Sequence, residues 1–188
     1  MRIGVLALQG AFREHQITLT EMGIDSVQVR KPEQLQGIDA LIIPGGESTT
    51  MGKLMESYRL FEPLRKMGRE GLPIFGTCAG LIMLAREIAG SAQPRLGLMD
   101  IEVERNAFGR QVDSFETALD IPVIGREPFR AVFIRAPYIT AVRPGVEVLA
   151  RFGDKIVFAR QGRFLAAAFH PELTPDRRIH RYFLENCI

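Results

Sequence analysis

The 188-residue sequence predicts an α/β fold, because short apolar runs alternate with amphipathic, glycine-terminated segments through its first half. From about residue 99 the character changes to strand-like stretches joined by short turns, IEVERN, QVDSFETAL, FRAVFIRA, VEVLARF, KIVFARQ and FLAAAFH. With 46% hydrophobic and 24% charged residues the chain can bury a sizeable core, and residues 1–188 are expected to form one domain. It contains no internal repeat, low-complexity tract or linker.

RIGVLAL (2–8) is nearly continuous in apolar residues, as a parallel strand covered on both faces should be. AFREHQITLTEMG (11–23) spaces Phe12, Ile17, Leu19 and Met22 around a polar face and stops at Gly23, which predicts a helix. SVQVR (26–30) and ALII (40–43) are the next strands. Residues 49–71 form a helix interrupted near Pro63, LPIF (72–75) a further buried strand, and LIMLAREIAG (81–90) a helix running to its glycine. This β-α repetition predicts a parallel sheet with helices on both faces. The second half should add antiparallel or mixed strands, and PDRRIHRYFLENC (175–187) should close the chain as a helix. The fold class is therefore a three-layer α/β/α sandwich around a flavodoxin-like, mostly parallel sheet.

A net charge of +2 gives no strong field for nucleic acid or a membrane surface. The first ten residues carry a short apolar run far below the ~18 needed to span a membrane, and no small-residue cleavage site follows. Cys78 and Cys187 are too few for a disulfide framework, so a reducing, cytoplasmic address is expected. Cys187 is expected to pack the last helix. Three scattered histidines and two distant cysteines offer no ligand spacing, so no metal is expected; no cofactor is expected either.

Gly76-Thr77-Cys78-Ala79-Gly80 has the spacing of a nucleophile elbow with cysteine at its centre. Side chains two positions either side of the centre would collide with the tight turn, and Gly76 and Gly80 remove them. The helix that follows aims free N–H groups and a partial positive charge at the sulfur, and the Ala79 N–H can face the oxygen of an attacked carbonyl. A small residue at a strand-helix junction is the competing interpretation. For the base there are three histidines. His15, beside Arg13 and Glu14, and His180, before Arg181, suit solvated helix faces. His170 ends an apolar run and is followed by Pro171 and Glu172. In an extended segment Glu172 would reach the imidazole edge turned away from the sulfur, the place of the acid in a Ser-His-Asp triad. An ordinary turn after a strand would look the same.

Pro44-Gly45-Gly46-Glu47-Ser48-Thr49 follows the strand ALII and should lie at the carboxyl edge of the sheet, where such folds bind ligands. Its glycines allow backbone N–H groups to approach a substrate or to supply a second oxyanion donor. Glu47, Ser48 and Thr49 could equally cap the next helix. A phosphate loop does not fit, since no Gly-Lys-Ser/Thr follows and Glu47 would repel phosphate.

The series Pro-Gly-Gly, Gly-x-Cys-x-Gly and His-Pro-Glu resembles the class I, triad-type glutamine amidotransferases. ALQGAFREH (7–15), PGGESTTM (44–51), GTCAGLIMLA (76–85), VERNAFGRQVDSFE (103–116), FIRAP (133–137) and FHPELT (169–174) are similar, within that class, to the glutaminase subunits of pyridoxal 5'-phosphate synthases. The resemblance spans nearly the full chain. It implies hydrolysis of L-glutamine to L-glutamate and ammonia, with ammonia passed to a separate synthase subunit. It further implies Cys78 as nucleophile, His170 as acid-base and Glu172 as orienting carboxylate. Gly46 and Ala79 fall at the oxyanion hole, and Gly46, Glu47, Ser48, Arg105, Ile134 and Arg135 where the family contacts glutamine. Gln9, Gly10, Arg13, Glu14 and His15 match residues that face the synthase. Two rival functions share the fold: a cysteine hydrolase of the intracellular-protease-like kind, and a binding domain that has lost the reaction.

Overall fold

The strands that carry the site form a parallel block whose apolar runs are buried from end to end. The computed structural model describes residues 1–106, 108 and 113–188, so of the 103–116 motif Ala107 and 109–112 lie outside the described residues. In chain order the elements are β1 (Arg2–Leu6), α1 (Phe12–Glu21), β2 (Asp25–Val29), β3 (Ala40–Ile43), α2 (Ser48–Ser57), α3 (Phe61–Arg69), β4 (Ile74–Thr77), α4 (Ala79–Leu84), β5 (Ala85–Ile88), β6 (Met99–Glu104), β7 (Ser114–Leu119), β8 (Phe129–Ile134), β9 (Tyr138–Val142), β10 (Glu147–Phe152), β11 (Lys155–Gln161), β12 (Phe164–Ala167) and α5 (Arg178–Asn186).

Strands β2, β1, β3, β4 and β12 lie side by side and parallel, the flavodoxin-like order with β12 in fifth place. Beyond β12 the sheet continues antiparallel through β11, β9 and β6, with β5 parallel to β6 and β10 on β11. Every residue of β3 and β4 is buried, whereas β6 and β8 alternate buried and partly exposed positions. That difference is the one between a strand covered on both faces and one covered on a single face. On one face Phe75 of β4 packs its ring against His15 of α1 and against His180 and Phe183 of α5. The hairpin β7–β8 stands apart from the main sheet. It is pinned by stacked Phe115 and Phe133, and Phe133 meets Phe169 at the end of β12 edge to face.

Several sequence expectations are corrected. The helix predicted over 81–90 ends at Leu84, and Ala85–Ile88 is a strand. Its residues pair with β6, bury Ala85 and Ile88 and expose Arg86, so pairing overrides a pattern equally compatible with a helix. The break in the 49–71 helix falls at Arg59, which takes a left-handed φ of 57°, and not at Pro63. Pro63 sits in the first turn of α3, where its missing N–H costs nothing. Helix α1 buries His15, Thr18 and Leu19, while Ile17 is 57% exposed. Neither His15 nor His180 lies on a solvated face: their exposures are 0% and 1%. YITAV (β9) is a strand that the sequence stretches above did not include.

Candidate active site

Four loops at the carboxyl ends of neighbouring parallel strands meet at one place: Gln9–Ala11 after β1, Gly45–Ser48 after β3, Cys78 after β4 and His170–Glu172 after β12. They line a cavity of about 380 Å³ together with Arg105 and Asn106 after β6 and with Ile134 and Arg135 at the end of β8. Of the residues singled out from sequence, Gly46, Glu47, Ser48, Cys78, Arg105, Ile134, Arg135 and His170 border this cavity, as do Gln9 and Gly10.

Cys78 occupies the elbow with φ 49° and ψ −101°, a left-handed conformation that costs a non-glycine residue on the order of 1–3 kcal/mol. The surroundings hold it there. Its N–H donates to the Ala167 carbonyl of β12 at 2.8 Å, and α4 starts at the next residue. A Cβ built at Gly76 would fall within 3.0 Å of the Gly80 backbone, and one at Gly80 within 3.0 Å of the Ile43 carbonyl, so both positions exclude any side chain. Because Ala79 opens α4, its N–H has no partner within the helix and is free to act as a donor.

His170 leans on the glycine loop: a Cβ at Gly45 would collide with its Cε1. Its backbone N–H donates to the Val132 carbonyl of β8 at 2.8 Å, and its Nδ1 lies 2.7 Å from Glu172 Oε1. The segment is not extended as expected. Pro171–Leu173 is a 3₁₀ turn, and the turn brings the carboxylate back onto the imidazole. Burial by itself would lower the His170 pKa, but hydrogen bonds to Cys78 and Glu172 and the charge of Glu172 lift it to about 10. Glu172 is desolvated too, which opposes ionisation, yet the attraction of His15 once acid has protonated it, the bond to His170 and the His170 charge keep its pKa below the ordinary carboxyl value. At neutral pH the pair is an imidazolium held by a carboxylate. Cys78 Sγ lies 3.7 Å from the Ile134 carbonyl, a weak contact.

In the glycine loop Glu47 caps the next helix and also borders the cavity. Its carboxylate caps α2, accepting from the N–H groups of Thr49 at 3.0 Å and Thr50 at 2.7 Å and from the Thr50 hydroxyl at 2.6 Å. Desolvation works against these bonds, but they bring its pKa down to about 2. The cap is therefore complete above the ordinary carboxyl pKa and is lost as pH falls towards 2. Glu47→Ala should lower stability by about 1 kcal/mol at pH 7 in thermal or urea unfolding, and the difference from the parent should shrink at pH 2. An unchanged difference at low pH would show that capping is not what the carboxylate contributes.

Arg105 reaches Thr49 Oγ1 at 3.1 Å and Gln93 Oε1 at 2.7 Å, so its guanidinium is held at the rim. Arg135 takes φ 41° and donates its N–H to the Asp113 carbonyl at 2.6 Å. The segment after β1 lies beside the glycine loop as expected: Ala11 N–H donates to the Gly45 carbonyl at 3.1 Å, and Gln9 Oε1 accepts from Glu47 N–H at 2.8 Å. Within it Arg13 is exposed and Glu14 half-buried, but His15 is wholly interior and presents no surface to a partner. Ile82, Asn106 and Leu173 as cavity walls, and the buried pair His15–His180, are what the sequence reading missed. The signal for the pair was helical spacing: His15, Thr18 and Leu19 make one stripe.

The model of the SNO glutamine amidotransferase family matches residues 5–188. The chain belongs to that family. Among similar proteins, "Pyridoxal 5'-phosphate synthase subunit PdxT" of Pelotomaculum thermopropionicum is 76% identical over 188 residues, which are 100% of this chain and 96% of that protein. The protein of the same name from Carboxydothermus hydrogenoformans is 64% identical over 185 residues, 98% of this chain and 97% of its own length. A solved structure described as "Crystal structure of glutamine amidotransferase" superposes on this amidotransferase with a TM-score of 0.94 at 57% identity, covering 98% of each chain. The flavodoxin-like α/β fold expected from the β-α pattern, and the amidotransferase family that the motifs resemble, are thus the ones found.

Proposed function

We propose that this chain is the glutaminase subunit of a pyridoxal 5'-phosphate synthase, hydrolysing L-glutamine to L-glutamate and ammonia through Cys78, His170 and Glu172. The observation that carries the reading is the alignment of these three side chains at one end of the parallel block, the sulfur and imidazole bordering the cavity and the carboxylate buried behind them.

Cys78 sulfur attacks the side-chain amide carbon of glutamine, and the developing oxyanion takes hydrogen bonds from the N–H groups of Ala79 and Gly46. His170, already protonated, gives its Nε2 proton to the leaving nitrogen, so ammonia departs and a γ-glutamyl thioester remains. The neutral imidazole then takes a proton from water as the water attacks the thioester, and glutamate leaves with the thiolate restored. Glu172 holds the Nδ1–H throughout, fixing the ring and favouring its charged form. At the rim, Arg105 or Arg135 pairs with the α-carboxylate, and Glu47, Ser48 and Ile134 complete the glutamine site.

Ammonia released at a free surface would be protonated and lost, which favours a site that works beside its consumer. The segment Gln9, Gly10, Arg13 and Glu14 is the proposed docking surface for the synthase subunit in a hetero-oligomeric complex. Its contacts with the glycine loop let docking organise the oxyanion hole. The single domain 1–188 works in the cytoplasm under this proposal, where Cys78 and Cys187 stay reduced; Cys187 is buried, and burial pushes its thiol up to about 11. No helix among the described residues is long and apolar enough to cross a membrane. The test is glutamate release from L-glutamine by the chain alone and with the synthase subunit. A rise with the partner is expected, and equal rates in both conditions would refute gating by docking.

A further inference from the structure

Behind the triad, on the side away from the cavity, runs a chain of buried polar groups that the reaction scheme leaves unused. His15 Nδ1 of α1 lies 2.9 Å from His180 Nε2 of α5. His15 Nε2 lies 3.1 Å from the hydroxyl of Thr77, the residue before the nucleophile, and 3.5 Å from Glu172 Oε2. Glu172 engages His170 through Oε1, while its Oε2 is buried with no full hydrogen bond, as is His180 Nδ1.

Only two proton arrangements of neutral rings fit these distances. In one, His15 donates from Nδ1 to His180. That leaves a buried His180 Nδ1–H with no acceptor and turns a His15 lone pair towards the carboxylate. In the other, His180 Nε2–H donates to His15 Nδ1, the His15 Nε2–H faces Thr77 Oγ1 and Glu172 Oε2, and His180 Nδ1 is merely an unused acceptor. The second arrangement leaves no ring N–H without an acceptor and gives the carboxylate a proton to face; its cost is that Thr77 Oγ1 accepts from His15, so the hydroxyl proton no longer has that ring as its acceptor.

We infer that His15 is a positioning residue of the triad, a neutral Nε2–H tautomer that orients Glu172 and Thr77, and that His180 fixes this tautomer by donating to Nδ1. Packing supplies the rest of the geometry, since Phe75 wedges edge-on against both rings. The charged and titratable groups around the pair are Glu172, His170 and Glu14 for His15, and Arg177 for His180. Desolvation outweighs the pull of Glu172 and keeps His15 below its ordinary pKa, and His180 is lowered further. Neutrality matters because a cationic His15 would compete with His170 for the charge of Glu172 and, by like-charge repulsion, weaken the hold of the catalytic imidazole on its proton.

The rate readout rests on the glutaminase reading; the spectroscopic one does not. With only three histidines in the chain, nitrogen-15 NMR of the histidine-labelled wild type can assign each tautomer. His15 and His180 neutral and protonated on Nε2 at pH 7 is the expected result, and His15 protonated on Nδ1 overturns the inference. In the complex with the synthase subunit, His15→Leu should lower kcat on the order of 10–100-fold with KM nearly unchanged. His15→Gln, whose amide N–H can take the place of Nε2–H, should recover activity to within a few-fold. Equal loss in both variants would reduce His15 to packing and refute the proposal. The pH profile of Cys78 alkylation by iodoacetamide should shift in His15→Leu and not in His15→Gln. If the wild type released no glutamate even with its partner, the glutaminase reading would fail, while the tautomer and the alkylation profile would still decide this one.

Discussion

Cys78→Ala should lower glutamate release on the order of 10⁴-fold or more, in the free chain and in the complex alike, because the three triad groups act as a unit and removing the nucleophile removes the covalent path. The expected effect is on kcat and not on glutamine binding, since the glycine loop and the rim arginines are untouched. Circular dichroism and the unfolding midpoint should stay close to the parent's, as the substitution deletes one sulfur from a side chain at the cavity wall. Residual activity near the parent's would mean that Cys78 is a packing residue of the elbow and that another group attacks the substrate.

The second large effect is structural. Replacing a helical glycine by alanine ordinarily stabilises a helix by about 1 kcal/mol. Gly80→Ala should do the opposite, at a cost of about 3 kcal/mol or more, because the added Cβ meets the backbone carbonyl of Ile43 and no rotamer change can relieve that. The helix would have to move off β3, and the elbow would move with it. Activity should fall together with the urea midpoint. Gly52→Ala in α2 is the control, because its Cβ would meet only the Pro94 carbonyl, at 3.2 Å. Equal stability of the two variants would show that the close approach of α4 to β3 does not constrain the elbow.

Much of this architecture is legible in the sequence because it rests on local rules. The strands β3, β4 and β12 are continuous apolar runs, and a chain buried on both faces can hardly be written otherwise. The elbow is legible because two glycines at fixed spacing answer a steric need that any side chain would violate. What was not legible depends on contacts distant in sequence. Ala85–Ile88 has a helix-compatible pattern and becomes a strand only because β6 is there to pair with it. His15 and His180 have charged neighbours in sequence, and only the packing of α1 and α5 over Phe75 shows that both rings face inward. That Glu47 caps α2 needed the positions of the Thr49 and Thr50 N–H groups.

The most direct measurement of the central claim, that Cys78 is the nucleophile of a glutamine site, is peptide mass spectrometry after incubating the complex with a glutamine-shaped diazo-ketone. The account predicts a single adduct on Cys78, formed in step with loss of activity and slowed by L-glutamine, with Cys187 unmodified. An adduct that ignores glutamine, or that forms elsewhere while Cys78 stays free, would contradict it.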